Sequence, residues 1–466
     1  MKRCIIYTYF SASLIILGGC KKLVHIAEPT NSITTSETFS SVAQATAAVT
    51  SIYNDMSYSS GSFFYASGAT TIYAGMSADE LNPFGNGSDP YFTNELLSDD
   101  GTLLNVFWAP CYYDIYMANA CIEGIQASKT LPGEVKKQLI GESKFLRAFC
   151  YFYLVNLFGD VPLVTSTAFV KTSLLARTSA DSVYQQMISD LTEAKTTLPS
   201  DYSLFKERIR ATSWAASALL ARAYLYKQNW SQAVAEANLI INQSSLYNLD
   251  SNLNDVFLMN GNEAILQWQD INQGNFLYAT QEGNLFIPYD SQTAPYYTLT
   301  DQLLGAFEPG DKRRESWVDS VNISGTDLFY PHKYKVRDAS GGSITEYYTI
   351  LRLAEQYLIR AEANAQMNKT FDAIGDLNII RKRAGLSELD PSLSQAQVLE
   401  AVAQERRIEF FAEWGHRWFD LKRTGKADVA LSTIKPSWQK TDTLYPIPHQ
   451  ELLTDPNLTQ NPGYGK

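Results

Sequence analysis

Two adjacent acidic steps, Asp79-Glu80 and Asp99-Asp100, are where this chain carries carboxylates in pairs. Paired carboxylates can cleave a glycosidic bond, but only when they flank it. Sequence neighbours seldom face one site, so both steps read as structural or solvated, and the chain as no enzyme. The four histidines, His25, His332, His416 and His449, fall at no metal-ligand spacing. Neither G-x-S-x-G, H-E-x-x-H, a P-loop nor a dinucleotide-binding fingerprint occurs, and no loop motif supports a calcium ion. No cofactor or metal is expected. A denser charged cluster lies near the C-terminus. There Glu405 and Glu409 stand one helical turn apart beside Arg406 and Arg407, and Arg417 precedes Asp420 by three. Such spacings let side chains meet along a helix. A fixed ion-pair network, with His416 inside it, is the expectation.

The N-terminus carries a different chemistry. Lys2 and Arg3 precede an apolar run from Ile5 to Leu17, and Leu17-Gly18-Gly19-Cys20 closes it. The run is too short to span a bilayer and reads as a cleaved export signal over 1–19. Small residues before a cysteine suit a lipoprotein peptidase, which leaves Cys20 as an acylated N-terminus. Several acyl chains together anchor a protein stably, and the polar stretch 20–35 reads as a tether. No later segment is apolar for long enough to cross a membrane. Net charge is −11 without a basic run, which argues against a nucleic-acid partner. Cys111, Cys121 and Cys150 are unequally spaced in apolar helical contexts. Their odd number and the absence of C-x-x-C make them buried small hydrophobes.

Helical periodicity dominates the rest of the chain. Ser36 is placed to cap a helix carrying Phe39, Val42, Ala45, Val49, Ile52 and Met56 on one face. Pro132 opens a long run in which Leu139, Phe145, Leu146, Phe149 and Phe152 point inward, and Gly159-Asp160-Val161-Pro162 ends it. Another helix starts at Asp181. Segments 219–241 and 357–380 share one pattern: a helix rich in small residues, a polar turn, an aromatic (Trp230, Phe371) plugging the turn, and a second helix. This is how a tetratricopeptide-type hairpin is written, and the helix ending at Gly159 is a third instance. The copies are far apart, so the superhelix is interrupted. Two aromatic, glycine-rich regions without helical period break it, Tyr58 to Phe92 and Phe257 to Tyr297. Short strand pairs are expected in and after the second, with Gly341-Gly342 as a hairpin turn. Long non-helical insertions in a helical frame are usually functional or disordered, and their aromatics argue against disorder.

Four segments in order resemble the SusD/RagB family. GESKFLRAFCYFYLVNLFGDVPL (141–163) resembles the family helix that ends in a Gly-Asp-x-Pro-Leu turn. LRLAEQYLIRAEANAQMNK (351–369) with LNIIRKRAGL (377–386) is similar to its helix pair. ERRIEFFAEWGHRWFDLKRTGK (405–426) and LYPIPHQELLTDPNLTQNPGY (444–464) resemble its C-terminal motifs. The resemblance runs nearly end to end. It implies a mainly α fold of tetratricopeptide-like hairpins, a single domain over 36–466, with glycan-binding loops at about 58–110 and 257–345. It implies capture of oligosaccharide or polysaccharide at the outer membrane, without catalysis, for a TonB-dependent SusC-like transporter. Lys21-Lys22-Leu23 departs from the acidic stretch that often follows the lipidated cysteine, so surface exposure is implied by the family alone. The competing reading is a structural or peptide-binding lid of the transporter with little glycan affinity.

The family's site uses aromatic and amide residues after an Asp-Glu step, and aromatics before a later helix. The matching positions are Asp79, Asn82 and Phe84 in the first region and Tyr296 and Tyr297 in the second, with Trp268 a further candidate. The family often carries tryptophan where this chain has Asn82 and Phe84. Phe84 would stack on the apolar face of a sugar ring, Asn82 would bond its hydroxyls, and a tyrosine would oppose them. Each stacked ring covers about 50 Å² of apolar surface, worth roughly 1–1.5 kcal/mol. A few such contacts imply a Kd of roughly micromolar to millimolar.

Overall fold

The computed structural model describes residues 35–57, 65–269, 280–338 and 344–465. The expected export signal, Cys20, nearly all of the tether, Tyr58, Phe63, Phe64, Phe276, Tyr278 and the Gly341-Gly342 step lie outside these residues. Among the described residues the chain is mainly α-helical, a tetratricopeptide-like series. α1 (Val42–Ser57) and α2 (Thr70–Ser77) precede eight helices that pack each against the next: α3 (Ala109–Ala127), α4 (Gly133–Phe158), α5 (Ala180–Thr197), α6 (Ser213–Tyr226), α7 (Trp230–Ile241), α8 (Leu353–Gln366), α9 (Thr370–Arg383) and α10 (Gln395–Glu409). The short α11 (His416–Arg423) comes next. α7 rests directly on α8 although more than a hundred residues separate them in sequence. The superhelix is interrupted along the chain and continuous in space.

A repeated side-chain arrangement joins the hairpins. Arg147 of α4 forks onto Asp190 of α5 at 2.9 and 2.6 Å and donates to Asn119 of α3 at 2.6 Å. Arg360 of α8 does the same with Asp376 of α9 and Asn238 of α7, at the same three distances. Arg222 of α6 forks onto Glu355 of α8 at 2.6 and 2.7 Å. All three arginines stand in an Arg-Ala step that comes after an apolar residue. The turns repeat too: Gln228 and Asn368 take φ of 56° and 59°. The next N–H in each returns to a carbonyl five residues back at 2.8 Å, closing the helix end. Small residues on α6 and α8 bring the helices together. Trp230 is half-buried beside them, but Phe371 is 78% exposed and plugs nothing. Its turn is already closed by backbone bonds.

α4 is the centre of the core, with Leu139, Phe145, Leu146, Phe149 and Phe152 all buried as expected, and Gly159 (φ 74°) ending it. Cys111, Cys121 and Cys150 are free and buried. α1 begins later than expected. A short helix at Thr35–Thr38 ends before α1 starts, and the Ser41 hydroxyl accepts from the Gln44 N–H. Val42, at the overhanging first turn, is 43% exposed, whereas Ala45, Val49, Ile52 and Met56 are buried. α2 lies in a region that showed no helical period. Nearly every side of it is buried, and a helix covered all round has no polar face to reveal its pitch.

Among the described residues, three two-stranded ladders interrupt the helices. β1 (Leu81–Pro83) pairs with β3 (Tyr297–Leu299), β2 (Ala264–Trp268) with β6 (Tyr348–Arg352), and β4 (Val318–Ile323) with β5 (Thr326–Pro331). The β4–β5 turn is Ser324-Gly325, whose φ values of 53° and 86° suit a tight hairpin.

The C-terminal charged motif forms a buried ion-pair network, but with distant partners. Glu409 receives Arg352 at 2.6 Å, Arg383 at 2.5 Å and Arg313 at 3.0 Å. Burial alone would raise its carboxyl, yet the guanidinium groups hold it well below the usual carboxylate range. Glu405 pairs with Arg313 and Arg381. Arg417 does not meet Asp420; Arg406 and Arg423 do, at 2.7 and 2.8 Å. Arg417 points the other way, toward Asp79.

Candidate functional site

β1 and β3 bring the two aromatic regions together. Asn82 faces Thr298 and Pro83 faces Tyr297 across the ladder. The pairing runs one step further, since the Phe84 N–H donates to the Tyr296 carbonyl at 2.9 Å. Side chains alternate across a strand. Leu81 and Leu299 therefore fill the core, while Phe84, Asn82, Tyr296 and Thr298 share the outer face. Phe84 is 48% exposed and Tyr296 61%, two large exposed rings on neighbouring strand ends in fixed register. Asn82, half-buried, sits one pleat further in and supplies an amide beside the rings, while Thr298 opposite it is buried. Exposed aromatics with an adjacent amide can cover a flat, weakly apolar ring and bond its rim.

Asp79 underpins this face and does not belong to it. Its carboxylate is 5% exposed. It takes a two-pronged contact from Arg417 at 2.7 and 2.9 Å and a third bond from Arg407 at 2.7 Å. Burial opposes ionisation there, but the two guanidinium groups lower its pKa overall. With its oxygens so engaged, Asp79 lies buried behind β1 and off the exposed face where the sequence expectation grouped it with Asn82 and Phe84. Its carbonyl accepts from the Thr300 hydroxyl at 2.6 Å, and the Glu80 carbonyl accepts from the Thr300 N–H at 3.0 Å. Thr300 also caps the turn Asp301–Leu304, so one threonine ties both strands. The Glu80 carboxyl is pushed up to about 8 by burial and then by Asp79.

Trp268 is a second correction. It is 1% exposed and packs edge-on against Phe149 and Trp414, with centroids 4.8 and 5.9 Å away. It is core because β2 is covered on both faces. Tyr297 alternates inward, half-buried, with its ring edge on Phe286 at 6.3 Å. The structure thus brings Asn82, Phe84 and Tyr296 to one face, sets Tyr297 behind it, and removes Asp79 and Trp268. Arg407, Arg417 and Thr300 were missed as supports. The only sequence signal for the arginines was their place in the charged C-terminal motif, whose partner lies over three hundred residues away. Among the described residues no group of three or more His, Cys, Asp or Glu side chains could hold a metal ion, and no helix is long and apolar enough to cross a membrane.

Known proteins share both sequence and architecture with this chain. Residues 315–464 match the model of the SusD family, and residues 27–225 match a family described as starch-binding, associating with the outer membrane. A SusD-like protein of Formosa agariphila is 28% identical, with 85% of this chain and 86% of that protein covered. The starch-binding protein SusD of Bacteroides thetaiotaomicron is 23% identical over 76% and 77% of the two chains. Among solved structures, a laminarin-binding SusD-like protein superposes with a TM-score of 0.76 at 24% identity, covering 91% of this chain and 99% of that one. A SusD superfamily protein of Parabacteroides distasonis gives 0.77 at 24% identity, with 91% and 99% covered.

Proposed function

The chain belongs to the SusD-like family, and from that premise we propose that it captures oligosaccharide or polysaccharide without cleaving it, on the face formed by Phe84, Asn82 and Tyr296. The observation that carries the reading is the cross-strand pair of exposed rings, fixed by a backbone hydrogen bond between two segments more than two hundred residues apart. Rings so placed are ready to stack on a sugar without reordering, which lowers the cost of binding. Laminarin and starch, the glycans named for two relatives, are the first ligands to try. Retention on gels containing either glycan, or another from a broad panel, is the expected result for purified protein. Phe84→Ala or Tyr296→Ala should weaken it while the melting temperature stays nearly constant. No retention on any glycan would remove the reading.

The same proposal places the protein at the outer membrane as a Cys20-anchored lipoprotein, handing its ligand to a SusC-like TonB-dependent transporter. The Leu17-Gly18-Gly19-Cys20 step supports the anchor, and palmitate labelling that Cys20→Ala abolishes would test it. Co-purification with a SusC-like barrel would test the partnership. One observation favours a second reading, a peptide-binding lid. A groove of about 520 Å³ between α7, α8 and α9 carries Phe371 and Ile379 exposed beside Arg360. Calorimetric titration with peptides against oligosaccharides separates the two.

A further inference from the structure

The segment that leaves Phe84 does not wander. Asp89 accepts from the Tyr91 N–H at 2.9 Å and starts the single turn Pro90–Thr93, which Asn94 ends at φ 60°. Tyr91 is buried between Tyr73 and Tyr445, with centroids 4.4 and 5.4 Å away. The ammonium of Lys435, buried beneath, donates to the Met76 and Ser77 carbonyls and to the Asn94 side chain at 2.6 Å. Beyond Asn94 the chain becomes one wall of a groove of about 860 Å³, and residues 436–439 with the C-terminal residues 463–465 form the other. The platform and this groove are therefore two ends of one short, braced segment. The volume lies in the range of ~300–1,000 Å³ common for small-ligand clefts.

The groove is lined by Glu95, Ser437, Gln439, Asp442 and Tyr464. Tyr464 donates its hydroxyl to the Leu444 carbonyl at 2.8 Å, so the ring, not the phenol, is what a ligand meets. Hydroxyl, amide and carboxylate groups around one fixed aromatic match the belt of hydroxyls and the flat face of a sugar. The charge balance narrows the class. Glu95, Asp99 and Asp442 face the groove, with His449 the one basic side chain among its described lining. Lys435 is sealed under the wall by three oxygens, and Lys440 turns to Asp428 at 3.4 Å. Carboxylates accept from sugar hydroxyls but repel uronate or sulfate groups.

We propose that this groove is a second subsite for the glycan held at Phe84 and Tyr296, and that the glycan is a neutral chain, not a polyuronate or sulfated one. The inference rests on the glycan-capture reading. It is tested by calorimetric titration of glucan, xylan and mannan oligosaccharides of graded length, from disaccharide upward, and of oligogalacturonate. The proteins compared are the wild type, Phe84→Ala, Tyr464→Ala and Ser437→Trp, the last filling the groove should Tyr464→Ala fail to fold. Phe84→Ala should weaken binding of one neutral series at every length. The groove variants should leave its short members unchanged and raise the Kd of its long members about tenfold, the worth of one stacked ring. Oligogalacturonate should not bind the wild type. Long members binding both groove variants with the wild-type Kd would overturn the subsite and leave the capture reading standing. Oligogalacturonate binding as tightly as the neutral chains would overturn the ligand class. Oligogalacturonate binding with no neutral series bound would likewise overturn the class alone, whereas no binding of any glycan, or none that Phe84→Ala weakens, would bring down the capture reading itself and this inference with it.

Discussion

Phe84 donates its backbone N–H to Tyr296 while its ring stays half in solvent, so the strand pairing survives loss of the ring. Phe84→Ala is expected to weaken glycan binding about tenfold, the ~1.3 kcal/mol of one stacked face, with unfolding free energy changed by less than about 0.5 kcal/mol. Titration and urea unfolding on the same sample check both. Asp79 behaves in the opposite way. Asp79→Ala leaves the Arg407 and Arg417 guanidinium groups facing each other without their carboxylate, and a broken buried pair is worth about 3–5 kcal/mol. Its urea midpoint should fall sharply, with binding lost only as β1 shifts. Trp268→Ala likewise opens a cavity beside Phe149 and should cost about 3–5 kcal/mol in unfolding free energy. Neither burial was legible in the residue itself. Asp79 and Trp268 are types that serve a site or a core equally well, and only tertiary partners decide.

At the scale of elements, the three Arg-Ala helices bind their neighbours through one arrangement, and α6 shows what it does. Arg222 and Glu355 are both almost fully buried and join α6 to α8 across the long insertion. Arg222→Met should destabilise by about 3–5 kcal/mol because Glu355 is left charged and unpaired, whereas Arg222→Met with Glu355→Met should recover most of that loss. Guanidinium chloride titration of the two variants reads the difference. The hairpins themselves were legible, since small residues, turn and second helix recur in both copies. The end of α4 was equally plain at Gly159. α2 was not, for a helix buried all round shows no period. Nor were the partners in the charged motif: spacing put Arg417 beside Asp420, but Arg417 reaches Asp79 and Arg423 takes its place. Local spacing names the neighbours that can meet along one helix and says nothing of the helix or loop packed opposite. Phe84 and Tyr296 were located by family resemblance, and their pairing became visible only through the ladder.

Across the whole molecule, buried carboxylates set the response to pH. Glu409, Asp79 and Asp420 all have folded-state pKa values depressed below 4.5 or 3.8 by adjacent guanidinium groups that outweigh burial. Their stabilisation is complete above those ordinary values and is lost as pH falls below them. Urea midpoints should therefore drop steeply from about pH 4.5 downward. Glu80 acts with the other sign. Its pKa is raised from 4.5 to about 8, so its contribution is full below pH 4.5 and is lost as pH rises toward 8. Asp114 is raised by burial too and shares that sign, so Glu80→Gln should make the downward slope shallower without abolishing it, and parallel slopes in the two proteins would contradict the assignment.

The ladder of β2 and β6 packs against α6, and β6 runs straight into α8. Residues 269–347 are thus an insert whose two ends leave and rejoin the helical stack through one doorway. Tyr296 rides on the insert and Phe84 does not. Exchanging this cartridge for a relative's would replace one strand of the Phe84–Tyr296 face at a stroke, provided the incoming chain keeps an arginine where Arg313 enters between Glu405 and Glu409 of α10. The incoming strand must also find register with Leu81–Pro83, which makes that three-residue strand a second lock for any replacement.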